Sequence, residues 1–396
     1  MRLSDRVSRI SVSSTAAALI EADCCRAAGA DLVDLAVGEP DFPTPENIRR
    51  AAVEAIRSGF TRYTPTGGIT ELKEAICRWH RREFGTEYTA AEVLVTCGGK
   101  QAIFNAVSAL INAGDEVLLP VPHWVSFPDI VRYAGGQAVP VPTEAADGYA
   151  LRAEAVERAS TPRSRLLILN SPNNPSGAVV AAGEFRRIHE LLSARGIPLL
   201  SDECYSHFIY EGAPFSAGAL PGARENAIVA GSLSKTFAMT GWRIGFALAR
   251  PELIRAMMKL QSHSTSNPNS IAQKAAVEAL TGPQDAVGMM CQEYRRRRDF
   301  VVEGLNRIPG LRCSMPQGAF YAFPNVTAFL GRGGEDGRPA SSAELAGRLL
   351  REGNVVTVPG EGFGAGGHLR ISYATSMRQL KRGIGRIAEF LGKLNP

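Results

Sequence analysis

The stretch Val93-Leu94-Val95-Thr96-Cys97-Gly98-Gly99-Lys100 reads as a buried strand that turns tightly and runs into a helix. Continuous apolarity, without alternation, suits a strand covered on both faces. The two glycines let the backbone turn sharply, and a helix start presents free N–H groups and the positive end of the helix dipole. That combination is a phosphate cup, although an ordinary strand-to-helix turn looks the same. The helical pattern continues through Ile103, Val107, Leu110 and Ile111 and stops at Gly114.

The same grammar repeats outward from this stretch. Short apolar runs at 117–119, 166–169, 197–200 and 228–230 alternate with helical patterns. Upstream, Thr44-Pro45-Glu46 offers a cap, a first-turn proline and a carboxylate. Ile48, Ala52, Ala55 and Ile56 follow, and Gly59 supplies a stop. Thr70 is expected to cap a second helix through Leu72, Ile76 and Trp79 to Gly85. Strands spaced by helices predict an α/β fold, with a mostly parallel central sheet flanked by helices. Near the C-terminus, apolar segments at 320–323, 355–358 and 369–372 surround a helical stretch at 343–352. They predict a smaller α+β domain.

Composition narrows the class. The chain has 396 residues, 45 % hydrophobic and 21 % charged, which excludes wholesale disorder. The net charge of +5 is spread along the chain. The one basic run, Arg295 to Arg298 beside Glu293 and Asp299, reads as a solvated or salt-bridged helix face, and no nucleic-acid partner is expected. Seven cysteines without a CxxC or Cys/His pattern fit a reduced interior, with no zinc site and no disulfide framework. No window approaches the roughly 18 apolar residues of a membrane span, and no signal peptide is evident. A cytoplasmic protein without a membrane partner is the expectation.

Ligands of an open parallel sheet bind beyond the carboxyl ends of its strands. After 166–169 comes Asn170-Ser171-Pro172-Asn173-Asn174-Pro175-Ser176-Gly177, a rigid loop with free side-chain amides, or simply a structural turn. After 197–200 comes Ser201-Asp202-Glu203-Cys204-Tyr205. A carboxylate just past a buried strand needs a cation, unless Asp202 merely caps a helix. After 228–230 comes Gly231-Ser232-Leu233-Ser234-Lys235-Thr236, with Arg243 following in Gly241-Trp242-Arg243-Ile244-Gly245. A lone lysine is ordinarily a surface charge. Two hydroxyls, a lysine and a guanidinium together suit a phosphate and a nucleophilic amine. A phosphate cup, amide and phenol donors, a buried carboxylate and a reactive amine match one cofactor, pyridoxal 5′-phosphate.

The residues quoted, in this order and spacing, resemble the class I aminotransferases of PLP fold type I, most nearly the bacterial aspartate aminotransferases. The likeness runs from Gly38-Glu39-Pro40-Asp41-Phe42 to Leu369-Arg370-Ile371-Ser372-Tyr373-Ala374. It implies that Lys235 carries the cofactor as a Schiff base. Asp202 would meet the pyridine nitrogen, and Tyr205 and Asn174 the phenolic oxygen. Gly99, Lys100, Ser232, Ser234 and Arg243 would hold the phosphate, with Trp124 stacked on the ring. Gly38 and Arg370 would bind the substrate, Arg370 at its α-carboxylate, alongside Trp124 and Asn174. Tyr63 would reach the phosphate of a neighbouring subunit, which implies a homodimer. Residues 1–44 would form an N-terminal arm and part of the small domain, 45–285 the large cofactor-binding domain, and 286–396 the rest of the small domain.

By the same resemblance, the side chain of Lys100 and the loop around Ser13 and Thr15 point to a substrate with a distal carboxylate, aspartate above all, with 2-oxoglutarate as a suitable acceptor. The neutral alternative leaves Lys100 along the helix surface. Relatives that accept prephenate commonly have a lysine near the place of Ser11, which favours aspartate over prephenate here. Aromatic transamination and C–S lysis on the same scaffold are the other enzymatic readings. A PLP-sensing regulator, which would carry a DNA-binding domain ahead of this fold, is not expected, because only about 35 residues precede Gly38.

Overall fold

The structure, a computed structural model, describes residues 3–12, 14–331 and 337–394. Its centre is a seven-stranded sheet. In chain order the strands are β1 (Val93–Thr96), β2 (Glu116–Val121), β3 (Gln137–Pro142), β4 (Ser164–Asn170), β5 (Leu199–Asp202), β6 (Ala227–Ser232) and β7 (Gly245–Leu248). In space the order is β1-β7-β6-β5-β4-β2-β3. All neighbours are parallel except β7, which runs antiparallel to both β1 and β6.

The central strands are buried along nearly their whole length, as continuous apolar runs require. One apolar cluster packs helices Glu46–Arg57, Thr70–Phe84, Ala182–Ala194 and Ser270–Thr281 against one face of the sheet. Another packs helices Gly99–Leu110, Ser126–Ala134 and Pro251–Ser262 against the other. A third joins Val33 and Leu35 to helices Asp285–Asn306, Ser342–Gly353 and Met377–Lys393. There Val33–Asp34 pairs parallel with Val355–Val356, and Leu369–Ser372 lies between Val358–Pro359 and Tyr321–Ala322 in a three-stranded antiparallel sheet.

Several local expectations change. Thr44 does not cap the helix Glu46–Arg57; its hydroxyl donates instead to the carbonyl of Ala238, 2.5 Å away. Thr70 is the first helical residue, not the cap. Strands β3 and β7 were not foreseen: β3 carries two prolines, which an edge strand tolerates, and β7 follows directly on the motif that holds Arg243. The basic run is paired but not wholly solvated. Arg297 and Arg298 are buried, paired respectively with Asp41 and Glu293, and with Glu211 and Asp299. Among the described residues, no helix is long and apolar enough to cross a membrane.

Candidate active site

A cavity of about 380 Å³ opens at the carboxyl ends of β1, β4, β5 and β6. Twelve of the thirteen residues singled out from the sequence line it: Gly38, Gly99, Lys100, Trp124, Asn174, Asp202, Tyr205, Ser232, Ser234, Lys235, Arg243 and Arg370. The thirteenth, Tyr63, is exposed and lies outside it. Thr15 lines the wall, whereas Ser13 falls outside the described residues.

The floor is built by strand ends. Asp202 closes β5, buried, with its Oδ1 accepting from the Cys204 N–H at 3.2 Å. Burial pushes its carboxyl up to about 7, against the opposing pull of that N–H and of Lys235. A carboxyl so placed becomes a stable anion once a cation meets it. Lys235 sits in the short helix Leu233–Thr236 after β6, and its Nζ donates to the carbonyl of Gly38 at 2.6 Å. Burial lowers the pKa of that amine, and Arg243 and Arg370 act in the same direction.

The anion cup takes its shape from glycines. A Cβ on Gly98, whose φ is +84°, would lie 2.4 Å from Nη2 of Arg243, and one on Gly245 would lie 2.4 Å from the Gly99 nitrogen. The backbones must therefore approach bare. Arg243 itself holds φ +57°, a conformation that costs a non-glycine residue energy and recurs at ligand sites. Its guanidinium is tethered by the Thr240 carbonyl at 2.9 Å. The start of helix Gly99–Leu110, the Ser232 and Ser234 hydroxyls and this guanidinium all line the same cavity.

The opposite wall carries Arg370, fully buried on strand Leu369–Ser372. Its Nη1 donates to Asn174 Oδ1 at 3.0 Å and its Nη2 to the Ala36 carbonyl at 2.7 Å, while Nε has no partner. The engaged Oδ1 leaves the Asn174 amide nitrogen as its remaining hydrogen-bonding group. Lys100 reaches across the mouth, its Nζ 4.8 Å from the centre of the Trp124 ring. It is solvent-accessible, yet desolvation, with Arg243 second, lowers its pKa. The side chain thus turns over the cavity wall and does not lie out along the helix.

Two polar lining residues were given no role by the sequence reading, although Asn170 stands at the head of the quoted loop. Tyr321 places its hydroxyl 2.9 Å from that of Tyr205, and Asn170 binds the Asp202 carbonyl at 3.0 Å and the Asn174 N–H at 2.7 Å. Tyr321 was hidden inside an apolar run. Asn170 ends β4 on the same row as Asp202, with which it pairs in register, and that position was the available signal.

Fold and cavity together bring an amine, a carboxylate and guanidinium groups to one site at the strand ends of an α/β sheet, the arrangement of an enzyme. Residues 30–387 match the family model described as aminotransferase class I and II. The chain is 43 % identical over 397 residues to an aspartate/prephenate aminotransferase of Cereibacter sphaeroides, covering 99 % of both chains. It is 41 % identical to an aspartate aminotransferase of Geobacillus stearothermophilus, again covering 99 % of each. Among solved structures, an aspartate aminotransferase from Thermus thermophilus with maleate superimposes with a TM-score of 0.93 at 43 % identity, covering 98 % of this chain and all of that one. The chain belongs to the class I and II aminotransferase family and is a transaminase.

Proposed function

We propose that this aminotransferase moves the amino group of aspartate to a 2-oxo acid such as 2-oxoglutarate, using pyridoxal 5′-phosphate held in the 380 Å³ cavity. The observation that carries the reading is the convergence of Lys235, Asp202, Arg370 and Lys100 on that one cavity. The residues fit the cofactor. A buried carboxyl that makes no ion pair among the described residues suits a pyridine nitrogen, the glycine-shaped cup suits a phosphate, and a partly buried amine of lowered pKa suits an aldehyde.

Bound pyridoxal 5′-phosphate supplies an aldehyde for the amine and a ring that takes up electrons. Asp202 would keep a proton on the ring nitrogen. Tyr205 and the Asn174 amide would donate toward the phenolic oxygen. Trp124 would stack on the ring, and Gly99, Lys100, Ser232, Ser234 and Arg243 would hold the phosphate. Arg370 would orient the substrate by its α-carboxylate, with Gly38 beside it. Lys235 Nζ, which would hold the cofactor until a substrate amine took its place, would be placed to take the proton from the substrate Cα as general base and to pass it on as general acid. The lowered pKa leaves more of that amine neutral than in a free lysine.

The reading includes a homodimer, with the exposed Tyr63 reaching a phosphate in the neighbouring subunit. Exposed Leu3, Val7, Val12 and Ile20 in the N-terminal segment support such a contact, since association would cover them. It also divides the chain into a large domain, 45–285, and a small one from 1–44 and 286–396, in line with separate apolar clusters around the sheet and around helix Met377–Lys393.

The test is reduction of the cofactor-loaded protein with borohydride, peptide mapping, and an aspartate–2-oxoglutarate assay. The label is expected on Lys235, with Lys235→Ala binding the cofactor only reversibly and without turnover. A label on another lysine refutes the site. Pyruvate and ammonia release from cystathionine without amino transfer from aspartate refutes the reaction.

A further inference from the structure

Tyr205 and Tyr321 are both buried, 5 % and 1 % exposed, with hydroxyls 2.9 Å apart and rings nearly perpendicular at 82°. Distance alone does not say which one donates. A phenol has one hydrogen to give and lone pairs to accept with, so the direction of this bond decides what Tyr205 presents to the cavity. If Tyr205 gave its hydrogen to Tyr321, it would face the cavity with lone pairs only and would repel an anionic oxygen. If Tyr321 donates, the Tyr205 hydrogen is free for the ligand.

The surroundings favour the second arrangement. The Arg370 guanidinium lies 4.6 Å from the centre of the Tyr321 ring, so a positive charge backs that phenol and makes it the better donor. Burial raises both phenols, Tyr205 well above its ordinary value; Arg370 works against the rise at both, as the second-largest cause at Tyr321 and the smallest of those at Tyr205. Tyr321 is also fixed in place. Its strand pairs with Ser372, two residues from Arg370, and its hydroxyl fills the space where a Cβ of Gly38 would come within 2.8 Å. The titratable and charged groups around the pair are Arg370 and Cys204, with Lys235 and Asp202 across the cavity.

We infer that Tyr321 is a positioning residue. It donates to Tyr205 and thereby commits the Tyr205 hydrogen to the phenolic oxygen of the bound cofactor, linking the wall that binds the substrate carboxylate to the cofactor. The inference rests on the proposed cofactor reading. Donation from Tyr321 polarises the Tyr205 O–H and strengthens the bond that it makes in turn.

The experiment is a double-mutant cycle read by colour. The visible absorption band of the Lys235-bound cofactor is titrated with pH in the wild type, Tyr321→Phe, Tyr205→Phe and the double variant. Stabilising the anionic phenolic oxygen lowers the midpoint, so Tyr321→Phe is expected to raise it by about half a pH unit, a threefold change. In the Tyr205→Phe background the same substitution should produce no further shift. Affinity of the cofactor-free protein provides a second reading. Tyr321→Phe should weaken pyridoxal 5′-phosphate about threefold and leave the 3-deoxy analogue, which lacks the phenolic oxygen, unchanged. An equal shift in both backgrounds, equal weakening of both ligands, or a raised amino-acid KM with an unmoved midpoint overturns the inference. Failure of the wild type to develop a Lys235-linked band overturns the cofactor reading itself, and the inference with it.

Discussion

Replacing Lys100 by alanine is expected to separate acidic from neutral substrates. Nζ lies over Trp124 at the cavity mouth, and among the described residues it makes no ion pair with a carboxylate. A substrate carboxylate arriving about 4 Å away would gain about 4 kcal/mol at an effective dielectric of 20 and about 1 kcal/mol in bulk water. Because solvent reaches Lys100, the lower half of that range applies. A charge-assisted hydrogen bond of about 1.5 kcal/mol net is a factor of about ten. We expect Lys100→Ala to lower kcat/KM for aspartate and glutamate about tenfold while changing alanine and phenylalanine less than about twofold. The assay is the steady-state half-reaction with each donor, checked against cofactor affinity. On the proposed reading it is the Lys100 backbone N–H, not its side chain, that would meet the phosphate, so that affinity should hold. Equal losses for acidic and neutral donors, or weakened cofactor binding, would refute a role at the distal carboxylate.

Two further substitutions test the site and its support. Arg370→Lys should reduce kcat/KM for every amino acid alike, by about tenfold to a hundredfold, because an ammonium cannot reproduce the two-pronged contact proposed for its guanidinium; a loss confined to dicarboxylic donors would move Arg370 to the other end of the substrate. His80, buried on helix Thr70–Phe84, has its pKa pushed down to about 3 by burial, with His207 second, while burial pushes the neighbouring Glu203, 4.0 Å away, up to about 7. Unfolded His80 takes a proton near pH 6.5 and the native one does not, so its contribution to stability falls with pH below 6.5, by about 1.4 kcal/mol per pH unit down to about 3. Glu203 has the opposite sign between 4.5 and 7, holding its proton only in the native state and offsetting the loss as pH falls. Below about 4.5 His80 acts unopposed by it, so His80→Gln should flatten the slope of the urea midpoint between pH 3 and 4.5; an unchanged slope would mean that His80 is protonated in the native state.

What the sequence made legible was set by how local each signal is. β1 with Gly98 and Gly99, β5 with Asp202 and β6 with Lys235 each join an apolar run to its chemistry within a few residues, so all three could be found and placed. β3 was missed because its two prolines argue against a strand, and only its edge position makes them harmless. Tyr321 was missed for a different reason. Between Phe320 and Phe323 a tyrosine reads as core, and its hydroxyl acquires a role only when the chain brings Tyr205, 116 residues away, against it. The exposure of Tyr63 shows the same limit from the other side, since nothing in its own chain explains an exposed phenol there.

The buried arginine beside Asp41 shows what long-range placement adds. Residues 38–44 run between Lys235 and Tyr321, and they are held from two directions. On the side of the central sheet, Thr240 Oγ1 donates to Glu39 Oε2 at 2.7 Å and Trp242 Nε1 to Thr44 Oγ1 at 3.0 Å. On the other side, Arg297 from helix Asp285–Asn306 donates to Asp41 Oδ1 at 2.7 Å, with its guanidinium 5.3 Å from the centre of the Phe42 ring. The attraction in such a pair is largely offset by desolvation, so it contributes little net stability. Losing Asp41 would leave the buried Arg297 to Glu293 alone, and losing Arg297 would release Asp41 from the helix. Its effect is therefore on position. It penalises any displacement of the segment whose Gly38 carbonyl receives Lys235 and whose lack of a side chain admits Tyr321. In the sequence, Arg295 to Arg298 is a run of like charges; in the fold, one of them fixes a segment more than 250 residues away on which the reacting amine rests.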